Sequence, residues 1–282
     1  MRSVAAVTLG WMSLALAAPG AAVERGYAPV NGLQLYYEIH GNPAKDGVPL
    51  VLLHGGGSTI ETSFGKLIPL VSKARQVIAF EQQGHGHTGD VDRPFSFEQS
   101  AGDAVALLRH LHVAKADVLG YSNGGHIALE IALRHPEAVR SLVLESVFFS
   151  RGGTDARFWQ GFDHAKLDEM PPDLKKAYLA TAPHPEQLSS FFAKSVQRMR
   201  DFKGWTPAQI QSIRRRTLLV LGDRDIVRVE HAVQMQHLLP DARLAVLPGA
   251  DHLAVPDRAA DVARMVDEFL LAAGNANEES RR

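Results

Sequence analysis

The 282-residue sequence contains no cysteine. This absence excludes disulfide bonds, a cysteine nucleophile and metal sites built from thiolates. It leaves the redox compartment open, because a protein without cysteine can fold in an oxidising or a reducing environment.

A strong charge of either sign is also lacking. Lys and Arg number 30 and Asp and Glu number 31, which gives a formal net charge of -1. Such a chain has no broad field to attract nucleic acid or an anionic membrane surface. We therefore expect neither a nucleic-acid partner nor a membrane partner for the mature chain, and we derive no oligomeric state from composition.

The longest uncharged stretch lies at the N-terminus. Arg2 precedes an uncharged, mostly apolar run at 4–18, and the small residues Gly20 and Ala22 come before the first acid, Glu24. This order is typical of a secretory signal peptide, and the run is short for a membrane span. We predict a leader at 1–22, cleaved after Ala22 or alternatively after Ala17, and an exported protein that is periplasmic or secreted. A retained anchor and a misread gene start are the alternatives.

After the leader, short apolar runs alternate with amphipathic stretches. The runs predict strands, and the 3.6-residue patterns predict helices. Strands are predicted at 33–39, 49–53, 76–80, 116–120, 141–147, 217–221 and 243–247, and helices at 96–112, 126–135, 230–239 and 257–273. This alternation predicts an α/β fold with a mostly parallel sheet flanked by helices.

One stretch, 149–212, breaks the alternation. It has no strand-like run, several prolines and many aromatic residues. We predict an inserted helical cap there, which divides the core into 23–148 and 213–274. Gly274 is expected to end the last helix, and 275–282 is expected to be a disordered tail.

The segment Gly120–Gly124, with Ser122 at its centre, matches the pattern G-x-S-x-G between a predicted strand and a predicted helix. Glycines beside the serine permit a sharp, strained turn, which exposes the hydroxyl at the head of the helix. With this motif, the chain resembles the α/β-hydrolase superfamily, in the branch of lid-bearing esterases, C–C hydrolases and cofactor-free haloperoxidase-like enzymes. The resemblance covers almost everything after the leader and implies a Ser122 nucleophile, an active site at the carboxyl ends of the strands and no cofactor.

The resemblance also implies two backbone donors for an oxyanion. One is the N–H of Asn123, directly after the nucleophile. The other comes from the turn His54-Gly55-Gly56-Gly57, where we favour Gly56, with Gly57 as the alternative.

In this family the acid and the base follow the serine in the order Ser, Asp, His. His252 follows the last predicted strand and is the predicted base. Asp225, after the preceding strand, is the predicted acid that orients its imidazole. Glu145, at the end of the strand 141–147, is the alternative acid.

The segment Gly84–Asp90 contains His85 and His87 and suggests a zinc site. It also matches a family turn in which Glu81 and Gln83 replace the usual Asp and Arg. We interpret it as a structural turn and predict no metal.

The predicted function is hydrolysis of carboxylic esters of small or medium, partly apolar substrates through an acyl-enzyme on Ser122. Lactone, C–C bond or perhydrolase chemistry on the same residues is the alternative. C–C hydrolases often carry Trp after the base, where this chain has Leu253. A non-catalytic ligand-binding protein of the same fold is the remote alternative.

The two candidate acids can be separated by substitution. Asp225→Asn is expected to lower turnover of an ester by about 10⁴-fold, because the imidazole would lose the acceptor that orients it. Glu145→Gln is expected to leave turnover unchanged. Steady-state kinetics of both variants test the assignment, and near-normal activity of Asp225→Asn would contradict it.

Overall fold

The computed structural model describes residues 23–44, 46–253 and 256–279. The predicted leader at 1–22 lies outside the described residues, as do residues 280–282.

The described chain forms an eight-stranded sheet in the order β1-β2-β4-β3-β5-β6-β7-β8. Strands β3 to β8 run parallel, whereas β2 is antiparallel to both β1 and β4. The strands are β1 Glu24–Val30, β2 Leu33–His40, β3 Leu50–Leu53, β4 Val77–Phe80, β5 Ala116–Tyr121, β6 Val139–Glu145, β7 Arg216–Arg224 and β8 Ala242–Asp251. The predicted mostly parallel sheet is confirmed.

Strand β1 was not predicted, because it lies at the edge of the sheet. Only Ala28 and Val30 of its seven residues are buried, so it lacks the continuous apolar run of an inner strand. A two-residue turn at Asn31 and Gly32, both with positive φ, joins it to β2.

Helices cover both faces of the sheet. They are α1 Ile60–Phe64, α2 Ile68–Val71, α3 Phe97–His110, α4 Asn123–Arg134, α5 Ala156–Asp163, α6 Pro172–Thr181, α7 Leu188–Arg200, α8 Pro207–Ser212, α9 Val229–Leu238 and α10 Ala259–Glu279. Val51 and Leu53 of β3 join the apolar cluster that includes α3, α4 and α9. Leu50 and Leu52 join the cluster that includes α1, α2 and α10. Burial on both faces explains why β3 is apolar at every position.

Helices α5 to α8 all lie between β6 and β7. Trp159 of α5 stacks on Phe202, which follows α7, with ring centroids 5.6 Å apart. These two rings share an apolar cluster with Phe148, which follows β6. The aromatic residues of this segment therefore pack its helices against the end of the sheet.

The last helix is longer than predicted. It runs to Glu279, so the expected end at Gly274 is wrong, and residues 275–279 are helical and not a disordered tail. The reason is that glycine costs only about 1 kcal/mol inside a helix, and no proline follows it in this segment.

Substitution by alanine should change the free energy of unfolding in opposite directions at two helical glycines. A Cβ on Gly124 would lie 1.9 Å from the carbonyl oxygen of Leu53, whereas a Cβ on Gly102 would meet nothing within 4 Å. Gly124→Ala is expected to lower the free energy of unfolding by about 3 kcal/mol or more through steric overlap. Gly102→Ala is expected to raise it by about 0.5–1 kcal/mol through helix propensity. Urea denaturation measures both, and equal effects would contradict the packing described for α4.

Candidate active site

Ser122 occupies the sharp turn between β5 and α4. Its backbone has φ 52° and ψ -119°, a strained conformation that turns the chain abruptly from strand to helix. Its N–H donates to the carbonyl of Glu145 at 2.8 Å. The turn depends on Gly120 as well as Gly124, because a Cβ on Gly120 would lie 2.4 Å from the Gly124 carbonyl oxygen. The half-buried hydroxyl stands at the N-terminus of α4.

Three segments distant in sequence bring Ser122, His252 and Asp225 together. His252 directly follows β8, and Asp225 directly follows β7. Nε2 of His252 lies 3.1 Å from Oγ of Ser122, and Nδ1 lies 2.8 Å from Oδ1 of Asp225. Since an ionised carboxylate only accepts, the proton sits on Nδ1 and Nε2 is free to accept from the serine hydroxyl.

The carboxylate of Asp225 is fully buried but well supplied with donors. Burial alone raises its pKa. Hydrogen bonds from His252, from the hydroxyl of Ser146 and from the N–H of Val227 outweigh burial and hold the pKa below its usual value. Asp225 is therefore ionised at neutral pH.

Glu145, the alternative acid, has a different environment. Its side chain is buried, and Oε1 has no hydrogen-bond partner among the described residues. Burial raises its pKa to about 8. The structure brings Asp225, and not Glu145, to the imidazole of His252.

Two supporting side chains were not identified from the sequence. Ser146 donates to Oδ2 of Asp225, and the hydroxyl of Tyr121 donates to the carbonyl of His252 at 2.7 Å. Both lie at the carboxyl ends of neighbouring strands, and this position can be predicted from the sequence. Serine and tyrosine are too common at strand ends for this position alone to indicate their contacts.

The glycine turn after β3 offers one free amide. The N–H of Gly55 donates to Oγ of Ser63 at 3.2 Å, and that of Gly57 donates to Nε2 of His85 at 3.3 Å. The N–H groups of Gly56 and Asn123 have no acceptor within the described part of the chain. This favours Gly56 over Gly57 as the second donor to an oxyanion.

The histidines near this turn have structural partners. Nδ1 of His54 bonds to the carbonyl of Gly55, Nε2 accepts from the N–H of Gln82, and burial lowers its pKa to about 4. Nδ1 of His85 bonds to the carbonyl of Gln83. His87 bonds to the buried carboxylate of Glu81 at 2.9 Å. Glu81 thus organises the segment that suggested zinc, and the described residues hold no group of three metal-ligating side chains.

A third residue that the sequence did not indicate is Arg198 of α7. A Cβ placed on Gly56 would lie 3.7 Å from its Nη2 atom. No sequence pattern distinguishes this arginine from the others of the cap, because its burial depends on how α7 packs.

The raised pKa of Glu145 predicts a pH-dependent stability. The unfolded carboxyl ionises near pH 4.5 and the folded one near pH 8, so this group increasingly destabilises the fold between these values. Glu145→Gln is expected to raise the free energy of unfolding by about 5 kcal/mol above pH 8, with the difference vanishing towards pH 4. Urea denaturation of the wild-type protein and of Glu145→Gln between pH 4 and pH 8 measures this difference in the free energy of unfolding. A constant difference at every pH would contradict a neutral Glu145.

Comparison with known proteins places the chain in a family. A model of the alpha/beta hydrolase family matches residues 50–265. The chain is 28% identical over 253 residues to 2-hydroxymuconate semialdehyde hydrolase of Pseudomonas sp. (strain CF600), with 82% of this chain and 89% of that protein covered. It is 28% identical over 265 residues to serine hydrolase BPHL of Homo sapiens, with 90% and 89% covered.

Solved structures show the same fold. The meta-cleavage product hydrolase of Pseudomonas fluorescens IP01 superposes with a TM-score of 0.71 at 22% identity, covering 89% of this chain and 98% of that one. None of the helices in the described ranges is both long and apolar enough to cross a bilayer. With most of its length matched by the family model, the chain belongs to the alpha/beta hydrolase family and is a hydrolase.

Proposed function

We propose that this protein hydrolyses carboxylic esters of small or medium, partly apolar substrates through an acyl-enzyme on Ser122. The hydrogen-bonded series Asp225–His252–Ser122 carries the proposal. The two free amides of Gly56 and Asn123 support it, because acyl transfer needs donors where negative charge develops.

The proposed reaction uses each group at a defined atom. Nε2 of His252 removes the proton from Oγ of Ser122 as the oxygen attacks the ester carbonyl. The N–H groups of Gly56 and Asn123 bind the oxyanion, and ionised Asp225 stabilises the imidazolium. His252 then donates its proton to the leaving alcohol. A water activated by the same imidazole hydrolyses the acyl-enzyme.

The cap places apolar side chains beside the glycine turn, which supports the proposal of a partly apolar substrate. Leu174 of α6 reaches over the glycine turn, with Cδ1 3.3 Å from the place of a Cβ on Gly57. Phe95 and Phe191 form an apolar cluster with Tyr178 of the same helix. The reaction needs no cofactor beyond water. The N-terminal pattern supports the accompanying proposal that the protein is exported.

Hydrolysis of a C–C bond is the second candidate. The relative named 2-hydroxymuconate semialdehyde hydrolase and the meta-cleavage product hydrolase favour it. Leu253, in place of the Trp that often follows the base in C–C hydrolases, favours ester cleavage instead.

A fluorophosphonate probe and a substrate panel test the proposal. The probe is expected to label wild-type protein at Ser122 and to leave Ser122→Ala unlabelled, because it reacts only with an activated serine. Among nitrophenyl esters of graded chain length, lactones, diketones and a perhydrolysis assay, the esters are expected to give the highest kcat/KM. Diketone cleavage above ester hydrolysis would favour the second candidate. Folded protein without any labelling would indicate a binding protein.

A further inference from the structure

An ion pair joins the middle of the inserted helix α7 to the core. Nζ of Lys194 donates to Oδ2 of Asp90 at 2.7 Å and to the carbonyl of Val91 at 2.9 Å. Asp90 and Val91 lie in the core segment between β4 and α3. The Lys194 side chain is 23% exposed and that of Asp90 is 12% exposed, so water weakens this pair less than it weakens a pair on an open surface.

The core supplies no cation of its own to Asp90. Oδ1 of Asp90 accepts from the neutral amide of Gln83 at 2.7 Å. The nearby Arg93 donates instead to Gln83 and to the carboxylate of Asp103. Within the described residues, Lys194 is therefore the cation that balances the charge of Asp90.

Beyond this pair, the N-terminal half of α7 rests on the core through an aromatic ring. Phe191 contacts the rings of His85 and Phe95, with centroid distances of 4.8 Å and 6.0 Å. In the described part of the chain, the remaining side-chain hydrogen bond from α7 to the core joins Arg198 to Gln82 at 3.4 Å, which is long for such a bond. The ion pair thus supplies the short polar contacts between this helix and the core.

The chain just after α7 is fixed more firmly. The N–H of Trp205 donates to the carbonyl of Phe149 at 2.8 Å, and its indole Nε1 donates to Glu130 of α4 at 3.0 Å. Gly204, directly before it, has φ 73°, a conformation that glycine adopts at little cost. A fixed end beside such a glycine is suited to act as a pivot. Opening of α7 about this end must break the contacts of Lys194.

The closed position of α7 covers the glycine turn after β3. Arg198, one helical turn after the ion pair, places Nη2 3.7 Å from the position of a Cβ on Gly56. Leu174 of α6 places Cδ1 3.3 Å from the position of a Cβ on Gly57. A ligand that needs more room than these side chains leave can reach the turn only when the helices move.

We propose that Lys194 and Asp90 form a latch that holds α7 closed against the core, with Gly204 as the pivot. Release of this latch controls the entry of larger substrates to Ser122. The latch itself does not depend on which bond the hydrolase cleaves, so it can be tested separately from the proposed function.

Hydrogen exchange followed by mass spectrometry measures the latch directly. Lys194→Met keeps a long side chain of high helix propensity and removes the charge, and Asp90→Asn removes the opposite charge. Each is expected to accelerate amide exchange in α7 about tenfold, because loss of a partly buried ion pair raises the population of the open helix. Exchange in α4 is expected to stay unchanged and reports an intact core. Lys203→Met is the matched control, because it removes an exposed charge just after α7.

Reversal of the two charges separates the ion pair from local packing. Lys194→Glu alone and Asp90→Lys alone place like charges together and are expected to accelerate exchange in α7 more than Lys194→Met does. The double variant restores an opposite pair and is expected to exchange more slowly than either single variant. Exchange in α7 that is equal in wild-type protein, Lys194→Met and Asp90→Asn would overturn the latch. A double variant as fast as the two single variants would also overturn it.

Reagents of two sizes test the control of entry. Dimethyl and dibenzyl fluorophosphate carry the same group that reacts with an activated serine. In Lys194→Met, the rate of labelling at Ser122 by the dibenzyl reagent, relative to the dimethyl reagent, is expected to rise about tenfold, because reaction through an open state scales with its population. An unchanged ratio beside faster exchange in α7 would overturn the control of entry. Failure of both reagents on every protein would overturn the proposed function, whereas the exchange measurements would still decide the latch.

Discussion

The strained turn at Ser122 is the constraint on which the arrangement of the site depends. A residue with φ 52° between β5 and α4 lifts the hydroxyl out of the sheet, and the glycines on either side allow the helix to start at once. The Ser122 N–H also ties this turn to Glu145 at the end of β6. The next residue, Ser146, again has a positive φ of 55° and donates to Asp225 beyond β7. Hydrogen bonds thus connect the ends of three adjacent strands and return through His252 to Ser122.

Two buried carboxyl groups near this turn show how the surroundings set charge. Asp225 receives hydrogen bonds from an imidazole, a hydroxyl and a backbone amide, and its pKa falls despite burial. Oε1 of Glu145 receives no hydrogen bond, and burial raises the pKa of the Glu145 carboxyl group to about 8. The number of hydrogen-bond donors, and not the depth of burial, decides which of the two carboxyl groups is ionised. Only the ionised group can stabilise an imidazolium, so the same environments that separate the two pKa values also select the partner of His252.

The helices between β6 and β7 contribute both apolar surface and one charge to the site. Aromatic packing, such as the stack of Trp159 on Phe202, holds α7 against the end of the sheet. That packing places the guanidinium of Arg198 beside the Gly56 turn. The core therefore provides Ser122, His252 and Asp225, while the inserted helices place the apolar side chain of Leu174 and the charge of Arg198 at the glycine turn.

Much of this could be predicted from the sequence, because the relevant signals are local. Apolar runs alternating with helical patterns determined the α/β fold. The Gly120–Gly124 motif determined the turn at Ser122, since glycines that relieve a tight turn are neighbours in the chain. The positions of Asp225 and His252 just after predicted strands indicated the edge of the sheet at which they would meet.

Only the tertiary structure decided the contacts between distant segments. It distinguished Asp225 from Glu145 by the direction of each side chain, and Gly56 from Gly57 by the acceptor that His85 provides to one amide. It extended α10 past Gly274, because a single helical glycine is a weak signal. It also buried Arg198, one charged residue among many in the cap. Burial and pairing arise from packing between elements, whereas sequence patterns describe each element alone.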